Sequence, residues 1–223
     1  MKKLLGLITI IFLNFSCFAQ DTGETKLGAW LEVTSSSRLS EKLVLSASYT
    51  NWDYDGLKNY QLHLGLIGLG YKFSSKTTAG IGYGYGNIET VFENNGTPSI
   101  KENRLFEYVT TSHKLNGISF SHRLKLEHRF LERPTEDALV HRVRYRFKVT
   151  VPISNSFFIS SYDEIHFNLN PFDFQQNRAF GGLGYKINKS SNVIFGYARH
   201  SFKTKSFNRM SLQLNLKFDF RKS

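Results

Sequence analysis

Four stretches of this sequence set charged and polar side chains two residues apart, where one face of an extended strand would collect them. Arg123, Lys125, Glu127 and Arg129 form the first, and Arg142, Arg144, Arg146 and Lys148 the second. Tyr162, Glu164, His166 and Asn168 form the third, and Arg178 and Lys186 a sparser fourth. Guanidinium groups beside carboxylates can do one of two things. They can satisfy one another as a fixed network, because arginine's planar fork serves two carboxylates at once. Alternatively, since bases outnumber acids here, the surplus can attract an anion along a pathway or in a pocket. Both readings stay open at this point. If the stretches are consecutive antiparallel strands, reflection about the connection at 133–138 sets Glu127 opposite Arg144. Reflection about 154–156 then sets Arg144 opposite Glu164. The expected centre is a Glu127–Arg144–Glu164 row, with Arg142 one step above and Arg146 one step below.

Other chemistry is thin. Ser112-His113 and Ser121-His122 put a hydroxyl beside an imidazole in sequence, yet neighbours on a strand point to opposite faces and form no dyad by themselves. The seven histidines show no ligand spacing. Gly80, Gly82, Gly84 and Gly86 make a Gly-x-Gly run, but no helix start follows it to cradle a phosphate. The row is expected to bend its strand, relief of crowding and room for a ligand being the other readings. No catalytic residue, metal or cofactor is expected, and an enzyme is not the leading reading.

The elements that would position these groups are strands. Met210, Leu212, Leu214, Leu216, Phe218 and Phe220 alternate strictly with polar residues, a period of two that puts every apolar side chain on one face. The same alternation marks 139–151, 118–130 and 77–87. Shorter or noisier versions fall at 27–34, 43–52, 60–73, 104–115, 157–169, 178–187 and 193–200. In 60–73 the apolar parity changes between Leu66 and Leu69, which predicts a bulge. Short connections near 40–42, 74–76, 115–117, 154–156 and 188–190 alternate with longer ones at 53–59, 92–103, 133–138 and 170–176. Short turns alternating with longer loops, between strands long enough to cross a bilayer, describe an up-and-down outer-membrane barrel. Eleven segments are visible, whereas an all-antiparallel closed barrel needs an even number. Residues 21–27 as a poor first strand give twelve; discarding one noisy segment gives ten.

The chain opens on Lys2 and Lys3, an apolar run from Leu4 to Phe15, and Cys17-Phe18-Ala19 before Gln20. This is the pattern of a secretory signal peptide cleaved after Ala19. A lipidated Cys17 is the rival reading. Cleavage removes the single cysteine, so the mature chain needs no disulfide and has no thiol chemistry. The formal net charge is +11, falling by two when Lys2 and Lys3 leave. The mean hydropathy of −0.32 suits a barrel that presents only alternate residues to lipid. Nucleic-acid binding would need this basic surface on the outside, and alternation sends it inward.

The stretch from Leu124 to Phe130 resembles the Glu-x-Arg-Phe strand of the bacterial barrel family called domain of unknown function 2490. Arg142 to Phe147, Glu164 to Asn168, Gln176-Asn177-Arg178, Gly181 to Tyr185, Trp30 and Gly196-Tyr197 resemble the family's pattern as well. The resemblance implies a barrel in the outer membrane and supplies no reaction. One departure from outer-membrane barrels at large is that Arg221-Lys222-Ser223 follow Phe220 where many end on an aromatic residue.

The expected architecture is therefore all-β, an antiparallel up-and-down transmembrane β-barrel of about twelve strands, with ten as the alternative. Residues 1–19 are the signal peptide and 20–223 one barrel domain in the bacterial outer membrane. The expected role is structural or that of a narrow pore with an Arg/Glu-lined interior. A barrel enzyme acting on lipid and a binding protein using its surface loops are the alternatives. Expected partners are outer-membrane lipid and lipopolysaccharide, the barrel assembly machinery during insertion and a small anionic solute, with no nucleic acid.

Overall fold

The computed structural model describes residues 22–93 and 96–221. The signal-peptide expectation at 1–19 lies outside the described residues. Eleven strands follow one another: β1 (Leu27–Arg38), β2 (Leu43–Asp55), β3 (Lys58–Lys72), β4 (Thr77–Ile88), β5 (Ile100–Leu115), β6 (Ile118–Glu132), β7 (Ala138–Pro152), β8 (Phe157–Leu169), β9 (Phe172–Lys186), β10 (Ser191–Ser201) and β11 (Ser206–Asp219). Each pairs antiparallel with the next, and β1 closes the barrel by pairing parallel with β11, from Leu27 against Asn208 to Arg38 against Asp219. The count of eleven corrects the expected twelve or ten. The requirement for an even number holds only when every pair is antiparallel, and the parallel seam removes it. Residues 22–26 form turns and no strand.

One end of the barrel carries the turns at 39–42, 73–76, 116–117, 153–156 and 187–190. Four of these share one design. Ser40, Ser74 and Ser154 each accept, at the side-chain oxygen, the backbone N–H groups two and three residues on, and Asn188 accepts that of Ser190. Leu39, Phe73, Ile153 and Ile187 each donate a backbone N–H to the carbonyl four residues later. Short polar side chains that bond their own backbone stabilise such turns.

At the opposite end only the connection at 89–99 is long. The longer loops expected at 53–59 and 170–176 reduce to the pairs 56–57 and 170–171. Asp53 and Asp55 still pair with Tyr60 and Lys58, and Asn168 and Leu169 with Asp173 and Phe172. Backbone hydrogen bonds continue through polar rims that side-chain alternation does not reveal. Phe92 folds back from the long loop onto Tyr54 and Phe207 and caps this end.

The two faces of the sheet differ sharply. Outward stand Leu31, Val33, Ile67, Leu69, Ile81, Leu124, Leu183, Phe195 and Leu212, with Ile81 67% exposed and Ile67 50% exposed. The bulge expected between Leu66 and Leu69 is absent, since β3 pairs without interruption from Leu62 to Lys72 with β4. Its parity changes because Leu62 and Leu64 pack into an interior cluster with Trp30, Trp52, Phe180 and Ile194, whereas Ile67 and Leu69 face out. The bulges lie instead at Trp52/Asp53 and His166/Phe167. The glycine row of β4 faces inward for want of space. A Cβ at Gly82 would sit 2.2 Å from the Phe106 ring, and one at Gly84 would sit 2.3 Å from Leu66 Cδ2. Relief of crowding, the alternative to the expected bend, is what these contacts support.

Candidate functional site: an ion-paired plug above a cationic cavity

Alternation on β5 to β8 turns Glu102 and Arg104, then Lys125 and Glu127, then Arg142 and Arg144, then Glu164 and His166, into one buried layer. Glu127 is its hub and has no exposed surface. Its Oε1 accepts from Arg144 Nη1 at 2.7 Å and Arg104 Nη1 at 3.2 Å. Its Oε2 accepts from Arg142 Nε at 2.8 Å and Nη2 at 2.5 Å, and Lys125 Nζ lies 3.8 Å from Oε1. Arg144 extends the chain by donating Nη2 to Glu164 Oε2 at 2.6 Å, while Arg123 Nη2 donates to Glu164 Oε1 at 2.7 Å. On the other flank Arg104 Nε donates to Glu102 Oε1 at 2.6 Å. Arg129 donates Nε and Nη2 to the two oxygens of Glu102, each at 2.8 Å. His166 sits between Glu164 Oε2 (3.2 Å) and Gln176 (3.1 Å).

Three carboxylates thus hold six guanidinium and ammonium groups in a connected layer. Each carboxylate oxygen accepts charge-assisted bonds, which is the condition under which buried charge is tolerated. Aromatic rings absorb part of the cationic surplus. Lys125 Nζ lies 3.9 Å from the Phe106 ring centre, Arg178 stacks 4.4 Å over Trp52, and Arg146 lies 5.3 Å over Tyr162. Arg209 lies over Trp52 and beside His200, its guanidinium 3.0 Å from Nδ1.

The expected residues therefore separate into two groups. Arg123, Lys125, Glu127, Arg129, Arg142, Arg144, Glu164 and His166 come together in the layer, with Arg178 stacked beside it. Arg146 and Lys148 stand outside it, in a cavity on the turn side. The Glu127–Arg144–Glu164 contacts form, but the register differs from simple reflection. Glu127 pairs with Arg142, and Arg144 with His166. The β6–β7 pairing starts at Leu131 with Ala138 and so centres one residue before the middle of 133–138, while the β7–β8 pairing is symmetric about Asn155, which puts Arg144 two residues from the expected Glu164. The arginine side chains span the resulting diagonals. Sequence reasoning missed Glu102 and Arg104. Their spacing of two, in phase with Phe106 and Tyr108, was the available signal, masked by a strand with no cleanly apolar face.

Ser112 pairs with Ser121, and His113 stacks with Phe120 and His122 on the outer face. Among the described residues no Ser–His hydrogen bond and no group of metal-ligating side chains is found.

A family model described as a protein of unknown function, DUF2490, matches residues 27–211, from the first strand into the last. The chain belongs to the DUF2490 family. The match spans every strand that builds the layer and reaches into both strands of the seam. No curated protein matches this DUF2490 chain. The family description carries no reaction, so the chemistry of the interior rests on its own geometry.

Along β7 of this DUF2490 barrel the inward residues change character in one direction. Arg142 and Arg144 are 3% and 6% exposed, whereas Arg146, Lys148 and Thr150 are all partly accessible. β1 repeats the trend, from buried Trp30 through partly exposed Glu32 and Thr34 to exposed Ser36. The accessible side chains line a cavity of about 360 Å³ whose floor is Trp30, Trp52, Tyr162 and the ion-paired layer.

Proposed function

We propose that this protein is an outer-membrane β-barrel, blocked across its loop half and open as a vestibule at its turn end, and not a through-going pore. The burial gradient along β7 carries this reading. Buried, mutually paired arginines leave no continuous path for water on one side, while accessible ones leave a chamber on the other. The membrane assignment is supported by the contiguous apolar outer face, far more than a water-surrounded monomer tolerates, together with strands of 11 to 16 residues. Charges inside and apolar residues outside are the distribution that a membrane barrel requires. With the short turns toward the periplasm, the vestibule faces the periplasm and the Phe92 cap faces outward.

The experiment is conductance of the purified protein in planar bilayers, beside fractionation of cells that express the full chain. The expected outcome is recovery with the outer membrane and no steady conductance. Large, stable channels would refute the blocked lumen, and soluble recovery without detergent would refute the membrane reading.

A further inference from the structure

We infer that the vestibule is a binding site for a phosphorylated sugar, its phosphate held by Arg123, Arg146 and Lys148 and its hydroxyls by the opposite wall. Arg123 and Arg146 stand directly opposite each other in the β6–β7 register, and Lys148 is two residues along the same face. Like charges set side by side on neighbouring strands destabilise a sheet unless something lies between them. Glu164 accounts for only one edge of Arg123. The Arg123 Nε–H is buried and has no hydrogen-bond partner. Among the described residues Arg146 and Lys148 hydrogen-bond no carboxylate; Glu164, opposite Arg146 in the β7–β8 register, is held by Arg123 and Arg144, and Glu32 of β1 faces the three cations without an ion-pair contact. Two partly accessible cations without an ion-pair contact, set beside a third across the register and lining one cavity, are what an oxyanion would bridge.

The rest of the chamber selects among oxyanions. Five strands round the barrel, Thr34, Ser46, Ser48 and Thr50 of β1 and β2 line the cavity, and the rings of Trp30, Trp52 and Tyr162 form its floor. Hydroxyls can donate to and accept from a polyol, and aromatic rings at the floor offer it apolar surface. The volume suits a single small molecule. Glu32, on the opposite wall, competes as a counter-charge with a phosphate bound by these cations.

This inference rests on the vestibule reading above. Calorimetric titration of the detergent-solubilised full barrel with glucose 6-phosphate, inorganic phosphate and glucose tests it. Glucose 6-phosphate is expected to bind at least about tenfold more tightly than phosphate, with glucose undetectable, because hydroxyls and oxyanion are held by separate walls. Arg146→Gln with Lys148→Gln should weaken binding by about tenfold or more. Glu32→Gln should tighten it several-fold, a gain that damaged folding cannot produce. Parent-like gel mobility of unboiled variants establishes that they fold. Equal affinity for phosphate and the sugar phosphate, or weaker binding in Glu32→Gln, overturns the proposal. Absence of binding in a barrel that does not conduct overturns this inference alone. Steady conductance overturns the blocked lumen, whatever binds.

Discussion

Replacing Glu127 with glutamine keeps the shape of the hub and removes its charge. The carboxylate accepts four hydrogen bonds from Arg104, Arg142 and Arg144, two at each oxygen. An amide keeps one oxygen and turns an NH2 toward guanidinium donors in place of the other. Whichever way it faces, two bonds to charged groups are lost. At about 1.5–3 kcal/mol each, that is about 3–6 kcal/mol, in line with about 3–5 kcal/mol for breaking a buried ion pair. The assay is urea unfolding from lipid vesicles, read by fluorescence. The chain has only two tryptophans, Trp30 and Trp52, and both are buried in the barrel interior. Arg142 makes two of its bonds to Glu127, so adding Arg142→Gln should recover part of the loss, roughly 1–2 kcal/mol of coupling. By contrast, replacing Glu127, Arg144 and Glu164 together by apolar residues should not restore stability. That change leaves Arg142 and Arg123 without a carboxylate. A Glu127→Gln barrel within about 1 kcal/mol of the parent would refute the claim that the plug is an interdependent network.

Three further outcomes are expected. Gly84→Ala should destabilise by about 1–3 kcal/mol through overpacking against Leu66, and Leu66→Val should relieve much of it; the pair is measured by the same unfolding titration. Single cysteines at Glu136 and Asn155 should react differently with an impermeant thiol reagent on intact cells, Glu136 labelled and Asn155 not, and the reverse would invert the topology. Phe92→Ala should expose the loop end of the lumen, read as faster hydrogen exchange at Tyr54 and Phe207 with little change near Lys148.

Strand positions were legible in the sequence because an extended chain with one apolar face leaves a period-two trace. All eleven visible segments correspond to strands of the barrel. Register was not legible, since it depends on where rims such as Asp53–Asp55 and Phe172–Phe174 stop pairing, and their polar or mixed side chains do not mark that point. The parity change in β3 misled because part of the interior is apolar. Leu62 and Leu64 face in to meet the tryptophans, whereas inward leucine looks like outward leucine in a sequence. Most of the plug could be read from the alternating charged residues of β6 to β8. Glu102 and Arg104 could not, because charged rims and charged interiors share the same residue types. Nothing in the alternation distinguishes Arg144 in the plug from Arg146 in the vestibule. That difference arises from which carboxylates lie across the lumen.

The seam between β1 and β11 sets an order of events. Ten of the eleven pairings join strands adjacent in sequence and can zip by hairpin formation, whereas the seam joins residues 181 apart, as between Thr34 and Asn215. Loop entropy makes so distant a pairing late and slow, and parallel pairing is slightly weaker per residue. The Glu102–Glu164 layer lies on β5 to β8, on the far side of the ring, and can therefore assemble in a curved open sheet before the ends meet. Once the last strand arrives, the closed ring leaves no free sheet edge, and its final closure depends on its longest-range contact and not on its most numerous ones.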